Sequence, residues 1–168
     1  MIPVRIDTLM VGIPPSPSVI ILRPVDEQPG NGRRVLPIWI GPSEAASIGV
    51  ALEGVQNSRP MTHDLLASTI EALDGDIESV LINRVDGSTF YATVFLTQGE
   101  KTIELDARPS DSIALAIRTM TPLFVDDQVM ESASHPVSPG GNYSPVDEED
   151  IEEFRAFLDT VNPEDFLS

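Results

Sequence analysis

"TFYATVFLTQGEKTIELDARPSDSIALAIR", residues 89–118, changes period half-way. Phe90, Ala92, Val94 and Leu96 fall on one face of a strand, two residues apart. "QGE" (98–100) is tight-turn chemistry, after which Ile103, Leu105 and Ala107 alternate with Thr102, Glu104 and Asp106. Pro109 then stands at a favoured first-turn position, and Ile113, Ala114, Ile117 and Met120 return at helical spacing as the inward side of a helix. A hairpin that feeds a helix is the seed of an α+β fold.

Upstream, residues 76–85 read as a third strand, joined through "DGS" (86–88). Near the N-terminus, Ile2, Val4 and Ile6, then Leu9, Val11 and Ile13, keep a period of two. Residues 18–25 and 33–40 pair around "DEQPGNG" (26–32), and Pro37 points to an edge position. "GPSEAASIGVALEG" (41–54) switches to helix, with Ser43 as N-cap, Ile48, Ala51, Leu52 and Val55 at helical spacing, and Gly54 at the end. A second helix is expected from Thr62 as N-cap, burying Leu65, Leu66, Thr69, Ile70 and Leu73, and "PLFV" (122–125) adds a last strand. The order β-β-β-α-α-β-β-β-α-β predicts a mainly antiparallel sheet with helices on one face, spanning residues 1–131. Residues 132–146 have Ser/Pro/Gly linker composition, with His135 expected to face solvent. Residues 147–168 predict an acidic amphipathic helix with Phe154, Phe157, Leu158 and Val161 on one stripe, suited to docking a protein partner.

Charge narrows the function. Ten basic residues face 27 acidic ones, a net of −17, and the one lysine is Lys101. Residues 141–168 hold nine acids and one base, so the rest still carries 18 acids against nine bases. A broad basic track for nucleic acid is therefore not expected, and phosphate chemistry would need a pocket of a few arginines or bound cations. No apolar run approaches a membrane span, and the first residues lack a signal-peptide layout. With no cysteine to form disulfides or thiolate metal sites, the cytoplasm is the expected location.

Two clusters carry candidate chemistry. In "RPMTHDLL" (59–66), Thr62 and Asp64 have a plain reading as a helix cap and a first-turn acid, which leaves Arg59 and His63 unexplained. An imidazole at a helix start suits a general base or a ligand. In "DARPSDS" (106–112), Ser110 and Asp111 again have a capping reading, and Asp106 with Arg108 reads as a surface ion pair or as site residues. Taken together, Arg59 and Arg108 at two helix starts suit phosphate oxygens, with Thr62 and Ser110 as further contacts. Asp64, Asp106 and Asp111, with Glu44 from "GPSEAA", are oxygen ligands suited to Mg²⁺ or Mn²⁺. Tyr91 offers a ring for stacking a base, against its plainer role on a sheet face. Trp39 reads as a core or interface anchor. No P-loop, HExxH, GxSxG or GxGxxG occurs, and no organic cofactor is expected.

Five blocks resemble one family, the bifunctional nuclease domain proteins: "LPIWIGPSEAASI" (36–48), "RPMTHDLL", "TFYATV" (89–94), "DARPSDSIALAIR" (106–118) and "PLFVDDQVM" (122–130). They cover roughly residues 1–131, and the acidic tail resembles C-terminal extensions of bacterial, especially actinobacterial, members. The resemblance implies an α+β fold of unusual topology, self-association, and hydrolysis of RNA and DNA. It implies a site on Glu44, Arg59, Thr62, His63, Asp64, Asp106, Arg108, Ser110 and Asp111. The resulting expectation is a nuclease acting on single-stranded RNA or DNA, with His63 and Asp106 facing a shared cleft and His63, Asp64, Asp106, Arg108 and Asp111 catalytic. The competing expectation is a non-catalytic homo-oligomeric module that binds a small anion or a protein partner.

Overall fold

A computed structural model describes residues 1–13, 16–26, 34–55 and 57–136. Its elements are β1 (Ile2–Met10), β2 (Ser18–Pro24), β3 (Arg34–Ile40), α1 (Pro42–Leu52), α2 (Thr62–Ala72), β4 (Asp76–Asp86), β5 (Thr89–Gln98), β6 (Lys101–Ala107), α3 (Pro109–Thr119), β7 (Leu123–Val125), α4 (Asp127–Ala133) and β8 (His135–Pro136). The strands form one sheet in the order β6-β5-β4-β7-β1-β2-β3-β8. Every pairing is antiparallel except β4 with β7. The α+β class is as expected.

The two hairpins β4–β5 and β5–β6 turn at Gly87 and Gly99, with φ of +57° and +60°. Backbone in that region suits glycine, because a Cβ is unfavourable there. Period two then sorts the side chains. Val80, Ile82, Ala92, Val94, Leu96, Ile103 and Ala107 share the face covered by helices. On the β1–β3 side, Val4, Ile20, Leu22, Leu36 and Ile38 pack against Ala45 and Ile48 of α1, Ile113 and Ala114 of α3, and Val129 and Met130 of α4. A second cluster joins Val80, Val94 and Leu96 to Leu115 and Ala116 of α3, with Ala67 and Ile70 of α2 against it. α3 therefore belongs to both clusters, and each large apolar side chain so buried contributes about 1.5–3 kcal/mol of transfer free energy.

Several local expectations are corrected. α1 begins after Gly41 and α2 after Met61, so Ser43 and Thr62 are not N-caps but lie inside the first turns. The cap of α2 is completed from inside the helix, where the Asp64 carboxylate accepts the Met61 N–H at 2.8 Å. The inward side of α2 is His63, Ala67 and Ile70, while Leu65, Leu66 and Leu73 are exposed. A helix that packs through one side buries only a narrow stripe. Leu52 and Val55 are likewise exposed. Met120 is exposed because it ends α3 in the left-handed region (φ +55°), with Thr121 N–H closing onto the Ala116 carbonyl and Pro122 preventing continuation.

α4 was not expected, although its start is a regular one: Asp126 accepts the Gln128 N–H at 2.9 Å. Ser132 and Ala133 end α4, and His135–Pro136 pair with β3. His135 is exposed as expected. The rest of the expected linker and the acidic terminal helix lie outside the described residues.

Candidate functional site

Three helix starts meet at one place. Each carries an acid at its third position, Glu44 in α1, Asp64 in α2 and Asp111 in α3, where the helix dipole favours negative charge. α3 packs between α1 and α2, and its side chains tie the three together. Arg108, the N-cap residue of α3, donates from Nε to Asp111 Oδ2 at 2.8 Å, and its Nη1 lies 3.1 Å from Glu44 Oε1. Asp111 Oδ1 lies 3.1 Å from His63 Nε2, and His63 Nδ1 lies 3.0 Å from Ser47 Oγ. From the far end of α3, Arg118 donates from Nε to Asp64 Oδ1 at 2.7 Å and from Nη2 to the Ser47 carbonyl and hydroxyl at 3.1 and 3.3 Å. Its Nη1 donates to the Ala114 carbonyl at 2.8 Å.

Exposure grades across this network. The Arg118 side chain is 8% exposed and His63 13%, whereas Arg108 is 66% exposed. Arg108 is thus the cation best placed to meet a ligand, and Arg118 braces from behind. Arg59 is exposed just before α2, and among the described residues nothing pairs with it. Thr62 is exposed on the first turn of α2, and Ser110 is buried on that of α3.

Two expected site residues lie elsewhere. Asp106 stands opposite Thr93 in an unbroken β5–β6 register. Its neighbour Ala107 faces the helices, so strand alternation turns Asp106 to the other side of the sheet, away from His63. Tyr91 is on that same far side, with the Arg84 guanidinium 3.7 Å from its ring centre. The expected cleft shared by His63 and Asp106 is therefore not formed; Asp111 takes the place beside His63. Of the other carboxylates expected as ligands, Glu44 and Asp111 both meet Arg108, and Asp64 meets Arg118.

Ser47 and Arg118 were missed in the sequence, although a signal existed for each. Arg118 stands two turns after Asp111 on the same helical face, in a stretch otherwise made of Ile113, Ala114, Leu115, Ala116 and Ile117. A guanidinium in such surroundings needs acceptors. Ser47 lies one turn after Glu44.

The electrostatics are mutually supporting. The Met61 N–H holds the Asp64 carboxyl below its ordinary value of 3.8, and Arg118 adds to this against partial burial. Burial pushes Asp111 up, but hydrogen bonds from Arg108 and His63 outweigh it, and the net direction is again down. A carboxyl whose pKa falls on folding stabilises the fold above its unfolded value and loses that contribution as pH drops through the folded value. Thermal stability should therefore fall below about pH 4. In Asp64→Asn, melting temperatures across that acid window should vary less than in wild type; a profile as steep as the wild type's would show that other groups set it.

Residues 21–138 match the description of the bifunctional nuclease domain. The chain belongs to the bifunctional nuclease domain family. An uncharacterized protein of Mycobacterium tuberculosis is 38% identical over 166 residues, 97% of this chain and 96% of that one. Bifunctional nuclease 2 of Oryza sativa subsp. japonica is 30% identical over 114 residues, 66% of this chain and 34% of the rice protein. Bifunctional nuclease 1 of Arabidopsis thaliana is 23% identical over 133 residues, 77% of this chain and 39% of that protein. The three-helix junction lies wholly inside the part matched to the bifunctional nuclease domain. Among the described residues no helix is long and apolar enough to cross a membrane.

Proposed function

We propose that this domain hydrolyses phosphodiester bonds of single-stranded RNA or DNA at the junction of α1, α2 and α3. The observation that carries the reading is the linked series Arg108–Asp111–His63, reaching inward from an exposed guanidinium to a nearly enclosed imidazole. Arg108, with Arg59 beside the start of α2, meets the non-bridging oxygens of one phosphate and offsets the charge that develops there. The Asp111 carboxylate accepts the proton of the attacking water, while His63, donating from Nε2, holds that carboxylate in place. A net charge of −17 restricts contact to the scissile phosphate and its neighbours, which suits a flexible single strand better than a duplex. Membership of the family supports the substrate class. Glu44, Asp64 and Asp111 are each engaged by an arginine, so no step is assigned to Mg²⁺ or Mn²⁺, and divalent ions enter as a variable of the assay.

The test is cleavage of single-stranded RNA and DNA by the full chain, with and without Mg²⁺ or Mn²⁺. His63→Gln should cut about 100-fold more slowly than wild type, the low end of the scale for disabling a proton-transfer pair. Equal rates in the two proteins would identify a contaminant and sink the reading.

A second reading, a non-catalytic oligomeric module that binds a small anion, draws support from two features. Both ring nitrogens of His63 already have partners, and α2 turns Leu65, Leu66 and Leu73 to solvent as a self-associating surface would. It predicts thermal stabilisation by a mononucleotide with no turnover, and a dimer or larger species by light scattering.

A further inference from the structure

We infer that Ser47, backed by Arg118, is the positioning residue of His63: its hydroxyl proton points at Nδ1, which leaves the ring proton on Nε2, facing Asp111. The kinetic half of this inference rests on the nuclease reading above; the spectroscopic half does not.

Proton accounting leads to it. Arg118 is a donor only, and its Nη2 at 3.3 Å occupies one lone pair of Ser47 Oγ. At the other end of the chain of contacts, Asp111 already accepts from Arg108, and an ionised carboxylate can only accept. The contact of 3.1 Å between Asp111 and His63 therefore needs a proton on Nε2. A neutral imidazole has one such proton, so Nδ1 is bare, and the contact of 3.0 Å to Ser47 needs the serine as donor. With the imidazole neutral, one arrangement satisfies all four groups: Arg118 to Ser47, Ser47 to His63, His63 to Asp111, with Arg108 also on Asp111.

The helix itself marks Ser47 as different. Serine and threonine inside helices commonly hand their proton to the carbonyl four residues back. Thr69, Ser112, Thr119 and Ser132 do so, at 2.7, 2.9, 3.0 and 2.7 Å. Ser47 is buried on α1 and turns its hydroxyl across the helix interface to α2 instead. His63 is thereby a hydrogen-bond donor to Asp111 through Nε2, and Asp111 is the acceptor of the pair.

The experiment is nitrogen NMR of the imidazoles in the ¹⁵N-labelled full chain at about pH 8.5, two units above the ordinary histidine value. The chain has two histidines, so His63→Gln assigns the signals. Wild type should show Nε2 of His63 protonated and Nδ1 bare but hydrogen-bonded. In Ser47→Ala the Nδ1 signal should move to the position of a nitrogen without a donor, and Ser47→Thr should restore it. The opposite tautomer in wild type, or an Nδ1 signal unmoved by Ser47→Ala, overturns the inference. On single-stranded substrate, Ser47→Ala should lower kcat about tenfold with KM little changed, the scale of one lost hydrogen bond. An unchanged kcat beside a displaced Nδ1 signal would overturn the link to turnover. Absence of cleavage by wild type would remove the nuclease reading and leave the spectroscopic result standing by itself.

Discussion

Methionine in place of Arg118 should lower the unfolding free energy by about 3 kcal/mol, the lower end of what removing one partner of a buried ion pair costs. Methionine keeps an apolar stem of similar reach, so the loss reports the guanidinium rather than a cavity. Four acceptors lose a donor: the Asp64 carboxylate, the Ser47 carbonyl and hydroxyl, and the Ala114 carbonyl. The two carbonyls lie within helices, so their loss is small. Asp64 is 37% exposed and recovers some hydration, which keeps the cost from the upper end of the range. What disappears is a side chain that hydrogen-bonds from α3 to both α1 and α2. Urea denaturation should show a lower midpoint at an unchanged slope. A loss below about 1 kcal/mol would class the Arg118–Asp64 pair with ordinary surface pairs and refute the bracing role.

Asparagine at Asp111 should reduce kcat/KM on single-stranded substrate about 1,000-fold, while Asp106→Asn should stay within about twofold of wild type. Asp111 touches both groups that the proposed chemistry uses, accepting from Arg108 on one oxygen and from His63 on the other. An amide keeps one acceptor and turns a donor toward the other partner, so at least one contact becomes repulsive. Asp106 makes neither contact and stands across the sheet. The contrast separates this site from the one the sequence suggests, in which Asp106 is catalytic. Should Asp106→Asn abolish cleavage and Asp111→Asn spare it, the junction of the three helices would not be the active site.

Much of this was legible in the residues alone. Period two in Phe90–Leu96 and Ile103–Ala107, and its change after Pro109, locate β5, β6 and α3 closely. The same alternation already placed Asp106 on the face opposite Leu105; what it lacked was knowledge of which face the helices cover. Apolar spacing misled in α2, where Leu65, Leu66 and Leu73 form a plausible inward stripe that the fold turns outward. α4 leaves little trace in the sequence, because seven residues are too few for a helical period to declare itself.

Composition and local pattern determined the α+β class, the positions of most strands and helices, the net charge of −17, and the two arginine-bearing helix starts as places of interest. Those properties depend on neighbours within a turn or two, which the sequence states directly. Only the tertiary structure decided that His63 pairs with Asp111, 48 residues away, that Arg118 reaches Asp64 across 54 and Ser47 across 71, and that Asp106 is left outside. Such partnerships follow from the strand order and from the seating of α3 between α1 and α2. They are settled by burial of the shared core, which selects among arrangements that local preference leaves equal in energy.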